Sequence, residues 1–212
     1  MQSSLDHIVY AVRDLDAGCA AFADQTGIQP ERGGAHAQMG TENALISFGD
    51  GAYLELLAPA KESASRANLG GRLLEFDSPR LFGWALRLDD LAPASQALSV
   101  AGLDPTPIIP TSRKRTNGEH LEWNLLGLKH FGGAWPFFIS WGATAHPSTE
   151  APWVGSILDF RVSLPVNDLP ALPFAGAEGV QLQHGPPRLA LAFDSQRGPV
   201  EWAQDEPHGF FK

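Results

Sequence analysis

The sequence predicts an α+β protein of two tandem βαβββ units followed by a C-terminal β-rich partial unit, and three observations support this. A strand-like phrase that ends in Asp-Leu occurs three times, at residues 5–15, 81–91 and 158–169. A helical pattern follows the first two copies, and strand patterns follow each helix. The 22 glycines and 17 prolines among 212 residues favour many turns and short strands over long helices.

The first unit is predicted over about residues 4–60. Asp14 is a good N-cap, because its carboxylate can accept from the free N–H groups of a first helical turn. The predicted helix ends at Gly27 and buries one side, made of Leu15, Cys19, Phe22 and Thr26. Strands over 42–48 and 52–57 then flank a glycine-containing turn, as in a tight hairpin.

The second unit, about residues 80–142, repeats this order. Asp90 caps a helix that ends at Gly102, and Asn117-Gly118 is a turn signal before the strands that close the unit. These closing strands are predicted at 121–126 and 135–141.

The third copy of the phrase opens only a partial unit, because the prolines at 170 and 173 leave room for little helix. Short strands are predicted at 180–183, 188–193 and 200–202. We therefore expect a domain of two units over residues 1–144 and a β-rich part packed on it over 153–212.

Composition excludes several classes of protein. A net charge of −9, from 15 basic and 24 acidic side chains, argues against nucleic acid as the main partner, since binding phosphates needs clustered Lys and Arg. A single cysteine excludes a disulfide scaffold. No apolar run reaches the ~18 residues that span a bilayer, and residues 1–14 do not read as a signal peptide, so we expect a cytoplasmic protein.

The most specific stretches lie in the first unit. It opens Leu5-Asp6-His7-Ile8-Val9, continues through Gly33-Gly34-Ala35-His36, and closes Gly51-Ala52-Tyr53-Leu54-Glu55. In this order, the tandem units resemble the vicinal oxygen chelate superfamily, and specifically its glyoxalase-like domain proteins of the glyoxalase, bleomycin-resistance and dioxygenase type. The resemblance implies one curved mixed sheet, a half-open barrel with the helices outside and a divalent metal or a ligand inside.

The resemblance also implies two alternative functions. One is a small-molecule enzyme of the lyase, isomerase or dioxygenase class, acting on a carbonyl- or carboxylate-bearing metabolite with a divalent metal as Lewis acid. The other is a metal-free small-molecule binding or sequestering protein of the bleomycin-resistance type. Either is compatible with a monomer or a homodimer.

His7 and Glu55 are the first candidate site residues, because they are polar residues inside apolar strands. An unpartnered polar group on an inward face costs at least ~1 kcal/mol, and one divalent metal would satisfy both. The plain alternative is a half-exposed histidine and a glutamate that points to water. The resemblance implies that both bind the metal and that Glu55 is catalytic. Strand alternation predicts that Asp6 faces away from His7.

His36 follows two glycines and stands where glyoxalase-like proteins commonly have a histidine. It is either a third metal ligand, a catalytic acid–base group near neutral pH, or a loop residue without a role in the site.

The second unit departs from the resemblance. A glyoxalase-type centre takes two ligands from each unit, but Gly83 occupies the position of His7, and Ser140 the position that we align with Glu55. The remaining ligands would have to come from water and substrate, from His36, or from His120 or Glu122. Otherwise the site is metal-free.

The second unit also offers candidate substrate-binding residues. Arg113 and Arg115 carry planar guanidinium groups suited to a carboxylate, and Trp123 is an aromatic wall for the apolar part of a ligand. The alternative is a solvated basic hairpin and a tryptophan in the core.

Overall fold

The computed structural model describes residues 2–49, 51–114, 118, 120–130 and 132–209. Its strands and helices follow the predicted order. The first unit contains β1 (Ser4–Ala11), α1 (Leu15–Thr26), β2 (Glu31–His36), β3 (Thr41–Gly49) and β4 (Ala52–Pro59), followed by a short helix α2 (Leu69–Leu73). The second contains β5 (Arg80–Arg87), α3 (Leu91–Val100), β6 (Ile109–Lys114), β7 (His120–Leu126) and β8 (Phe137–Ser140). The C-terminal part contains β9 (Ile157–Leu164), β10 (Gln181–His184), β11 (Arg188–Phe193) and β12 (Val200–Asp205).

The two βαβββ units form one strongly curved mixed sheet, which confirms the predicted fold class. Its strand order is β1-β4-β3-β2-β6-β7-β8-β5, and β5 returns to β1 so that the sheet closes into a barrel. The β1–β5 junction is an extended antiparallel ladder from Ser4 to Ala11. The opposite junction, between β2 and β6, has a single described pair, Ala35 with Lys114. The barrel is thus closed more firmly on one side than on the other.

The two long helices begin where the sequence predicts. The Asp14 carboxylate accepts from the Ala17 N–H at 3.0 Å, and the Asp90 carboxylate accepts from the Ala92 N–H at 2.9 Å. Helix α1 ends at Gly27, whose φ of 84° is the left-handed conformation that glycine adopts easily. Its buried residues are Leu15, Cys19, Phe22 and Thr26, as predicted.

The C-terminal strands form a second sheet, in the order β10-β9-β11-β12, that packs on the outer surface of the barrel. The rings of Trp84 on β5 and Phe160 on β9 are 5.6 Å apart, and those of Tyr10 on β1 and Trp202 on β12 are 4.2 Å apart. Both sheets and the outer helices therefore share one hydrophobic core. A separate cluster, which includes Val9 and Phe82, fills part of the barrel interior.

The chain between the two sheets, residues 142–156, crosses one end of the barrel and is fastened to β3. Ser47 accounts for the fastening: its N–H donates to the Pro152 carbonyl, its carbonyl accepts from the Val154 N–H, and its hydroxyl donates to the Ser148 carbonyl. Residues 142–156 therefore form a strap over the interior.

No helix in the described part of the chain has the length and apolar character needed to cross a bilayer.

Candidate functional site

The barrel interior contains a narrow hollow with a cavity volume of about 40 Å³. His7, His36, Glu55, Arg113 and Trp123 all line it, so the structure brings five of the six candidate site residues together. Arg115, the sixth, lies outside the described residues. The other lining residues are mainly apolar: Met39, Asn43, Leu45, Tyr53, Leu57, Leu125, Phe137, Ile139, Trp141 and Pro147.

His7 and Glu55 meet because β1 and β4 run side by side. The strands are parallel and place His7 opposite Tyr53, and Glu55 is two residues further on the same face of β4. Nε2 of His7 lies 3.8 Å from Oε2 of Glu55. Their side chains are only 5% and 9% exposed, so neither points to bulk water.

Asp6 does not face away from His7, and the expectation from strand alternation is wrong at this position. Its Oδ1 lies 2.6 Å from Nδ1 of His7. The physical reason is a bulge: the register of β1 with β5 shifts between Leu5 and His7, which brings two consecutive side chains to the same side. The sequence has no signal for this bulge.

The Asp6 carboxylate is fully buried and has three nitrogen partners. Besides His7, its Oδ2 accepts from Nε1 of Trp141 at 2.9 Å and lies 3.0 Å from Nε2 of His146 in the strap. Burial raises the pKa of this carboxyl, but hydrogen bonds from His146 and His7, together with their charges, outweigh burial and hold the pKa well below its usual range. Asp6 is therefore an ionised carboxylate that holds the His7 ring from the side away from Glu55.

Glu55 is positioned by a chain of hydrogen bonds that ends at the guanidinium of Arg113. Nδ2 of Asn43 donates to Oε1 of Glu55 at 2.6 Å, and Nη1 of Arg113 donates to Oδ1 of Asn43 at 2.8 Å. A Cβ at Gly33 would lie 2.0 Å from that Nη1 and 2.3 Å from that Oδ1. The glycine at 33 is therefore what allows the guanidinium to reach Asn43.

His36 is the last residue of β2 and is buried, so it is not the loop residue that the third of our expectations described. Its Nδ1 lies 3.2 Å from Oγ1 of Thr41, and its ring meets the edge of Trp123 at 5.9 Å. Burial, with a smaller opposing effect of Glu55 and a contribution from Arg113, lowers the pKa of His36 to about 4. The imidazole is therefore neutral at pH 7.

Among its described residues, the second unit places no ligating side chain at the positions that match His7 and Glu55. Val9 and Ala85 are equivalent positions, because each lies five residues before the Asp that caps the next helix. Val9 pairs with Glu55 in the first unit, and Ala85 pairs with Phe137 in the second. The counterpart of Glu55 is thus Phe137, whereas Ser140 donates to the Asp89 carbonyl at 2.8 Å. Our alignment of Ser140 with Glu55 is therefore wrong by three residues.

Two of the other proposed sources of ligands, His120 and Glu122, do not reach the hollow. His120 and Glu122 alternate on β7 with Leu121 and Trp123, and both are exposed on the outside of the barrel. Strand alternation, which identifies them as sharing one face, does not say which face that is.

The fit of these residues to a divalent metal is partial. Two atoms 3.8 Å apart can both lie about 2.0–2.2 Å from one ion, so His7 and Glu55 have the spacing of two ligands. In the part of the chain that the structure describes, however, no group of three or more His, Cys, Asp or Glu side chains is arranged to hold a metal. The donors do not fit the four-ligand centre that the resemblance implies.

Comparison with known proteins identifies the class to which this fold and hollow belong. The sequence model of the family described as a glyoxalase-like domain matches residues 5–172. The chain therefore belongs to the glyoxalase-like domain family, within the vicinal oxygen chelate superfamily. No curated protein matches the sequence.

Comparison with solved structures finds similar chains at low sequence identity. A hypothetical protein from Staphylococcus aureus is 17% identical, with a TM-score of 0.62 over 97% of this chain and 86% of that one. Methylmalonyl-CoA epimerase from Mycobacterium tuberculosis is 22% identical, with a TM-score of 0.47 over 65% of this chain and 87% of that one. A hypothetical protein from Bacillus halodurans is 14% identical, with a TM-score of 0.49 over 68% and 96%. These likenesses concern the fold alone.

Proposed function

We propose that the protein is a small-molecule enzyme that transfers a proton at a carbon next to a carbonyl or carboxylate group, with its substrate in the barrel hollow. One observation carries the proposal: Nε2 of His7 faces Oε2 of Glu55 at 3.8 Å inside the hollow, while Asp6 holds Nδ1 of the same ring at 2.6 Å. Such a pair suits an isomerase or lyase step.

Asp6 and His7 define which nitrogen is the base. An ionised carboxylate can only accept, so Nδ1 of His7 carries a proton that it donates to Asp6, and the base form of the ring is the one whose Nε2 has no proton. Nε2 is then left with a lone pair that faces the hollow, where it can take a proton from bound substrate. Glu55, kept in place by Asn43, is the second group within reach of that proton.

Arg113 and the apolar walls account for binding. The Arg113 guanidinium, 4% exposed, brings positive charge to the hollow, which favours an anionic or carbonyl-bearing ligand. Trp123 and Phe137 cover the apolar part of that ligand and keep bulk water from the reacting atoms. With a net charge of −9, the partner we propose is a small molecule in the cytoplasm, bound by a monomer or homodimer.

The direct test is proton exchange. The protein is incubated in D₂O with pyruvate, 2-oxobutyrate and acetoacetate as probes, and loss of the C–H signal is followed by NMR. We expect exchange above the blank with at least one probe, and a loss of about a hundredfold or more in His7→Gln and Glu55→Gln. Trp153→Phe, a change on the exposed side of the strap, serves as the control. No exchange with any probe, or exchange that both variants retain, contradicts the proposal.

A second function, metal-free binding without turnover, is favoured by the way the polar groups of the hollow satisfy one another. Asn43 joins Glu55 to Arg113, and Asp6 holds His7. Tight binding of a probe that is recovered unchanged, detected by a raised melting temperature, would support this function over the enzyme.

Metal content separates the metal-free proposal from a glyoxalase-type centre. Because the described residues offer two ligands rather than four, we expect protein purified without a polyhistidine tag to retain much less than one equivalent of Zn, Ni, Mn, Fe or Co after dialysis. The measurement is plasma emission. One equivalent that disappears in both His7→Ala and Glu55→Ala would instead show that substrate or water completes a metal site.

A further inference from the structure

Two tryptophans separate the hollow from a groove on the outside of the barrel. The groove lies against β6, β7 and the chain that follows β8, and it has a volume of about 460 Å³. Trp123 and Trp141 line both the hollow and the groove. Their ring centroids are 5.3 Å apart, so they pack together at the boundary between the two spaces.

The barrel wall is incomplete at this place. Strand β7 pairs with β8 only from Asn124 to Leu126. After β8 ends at Ser140, the chain turns away at Gly142, whose φ of 57° is in the left-handed region. Trp123 lies one residue beyond the last pair between β7 and β8, where side chains rather than backbone hydrogen bonds close the wall.

The two tryptophans are held to different degrees. Trp141 is anchored, because its indole N–H donates to the buried Asp6 carboxylate at 2.9 Å. Trp123 makes ring contacts with His36 and Trp141, and its indole nitrogen has no hydrogen bond within the described part of the chain. Moving Trp123 therefore costs packing but no buried hydrogen bond.

We propose that Trp123 is a specificity-determining residue that closes the hollow towards the outer groove and admits only compact ligands when it swings aside. The inference rests on the proposed function in one respect, that the hollow is where the ligand binds. Trp141 acts as the fixed side of the opening, and the groove is the route by which a ligand arrives.

Chemical access to the buried histidines tests this without a known substrate. Diethyl pyrocarbonate modifies neutral imidazoles, and peptide mass spectrometry gives the rate at each histidine. The exposed His184 of β10 is the internal standard. Relative to His184, we expect modification of His7 and His36 to be at least about tenfold faster in Trp123→Ala than in the unaltered protein. In the variant the reagent enters through a permanent opening, whereas in the unaltered protein it enters only when the Trp123 ring swings aside. Trp123→Phe should restore slow modification.

Trp202→Ala is the control for a general loss of stability, because it removes a partly buried tryptophan from the outer surface of the barrel, away from the hollow. An increase of less than about threefold in Trp123→Ala, or an equal increase in Trp202→Ala, overturns the proposal. If Trp123→Ala does not fold, as judged by circular dichroism, Trp123→Leu takes its place. Because the readout is access and not turnover, a negative result leaves the proton-transfer proposal standing, and absence of turnover leaves this one standing.

Discussion

His36 is the residue whose surroundings make the most direct prediction about pH. Burial lowers its pKa to about 4 in the folded protein, whereas a histidine in an unfolded chain titrates near 6.5. As pH falls below about 6.5, His36 therefore binds a proton in the unfolded state but not in the folded state. The free energy of unfolding decreases for this reason until about pH 4, where the folded state binds the proton too. By about pH 5 this single group should reduce the free energy of unfolding by about 2 kcal/mol.

The measurement is urea unfolding at about pH 7 and about pH 5. In His36→Gln, which cannot titrate, the loss of stability between the two pH values should be smaller than in the unaltered protein by about 2 kcal/mol. His184→Gln, at an exposed histidine, should show the full loss. Equal losses in His36→Gln and the unaltered protein would show that the imidazole is not kept neutral by its burial.

Single residues also show where sequence reasoning about the site stops. That His7 and Glu55 face the same interior could be predicted, because a polar residue in an apolar strand needs a partner, whereas their roles stay predictions. Asp6 could not, since its orientation depends on a bulge that no residue pattern announces. His146 could not either, because it lies in the strap and reaches Asp6 only through the folded path of residues 142–156.

At the scale of elements, the junction of β2 with β6 depends on a glycine. Only one pair of residues joins these strands in the described chain, and Arg113 on β6 adds a hydrogen bond across to Asn43 on β3. Gly33→Ala would place a methyl group 2.0 Å from the Arg113 guanidinium. Overpacking of this kind costs about 1–3 kcal/mol, and we expect that loss in urea unfolding.

The matched control is Gly176→Ala, because no atom lies within 4 Å of a Cβ at that position. It should leave the unfolding midpoint unchanged. A Gly33→Ala protein as stable as this control would mean that the Arg113 guanidinium can move away at no cost, and that its hydrogen bond to Asn43 does not contribute to stability.

Elements are also where the sequence alignment of the two units fails. The strand, the cap and the helix could be matched between units, because Asp14 and Asp90 mark the same point of each. The closing strands could not be matched in this way, because no motif in the chain between β7 and β8 fixes how many residues separate them. The sequence therefore aligns Ser140 with Glu55, where the structure places Phe137. Register depends on pairing with β5, which is a long-range contact.

At the scale of the whole molecule, the repeated phrase was sufficient to predict two units with a partial third packed on them, but not which face of the barrel the third part covers. The sequence indicates that apolar residues on both faces of β1 and β5 are buried, but it does not indicate which element covers the outer face. The structure covers that face with the second sheet, so that Trp84 and Phe160 belong to one cluster. We propose that residues 1–144 and 153–212 are, for this reason, not independently stable.

The shared core predicts a single cooperative unfolding transition. Phe160→Ala should leave a cavity beside Trp84 and lower the free energy of unfolding by about 3–5 kcal/mol. Tryptophan fluorescence and far-ultraviolet circular dichroism should still give coincident urea curves, because the barrel loses stability together with the second sheet. Leu158→Ala, on the same strand but 54% exposed, should have little effect. Two separate transitions, with only one of them moved by Phe160→Ala, would mean that the barrel folds without the sheet packed on it.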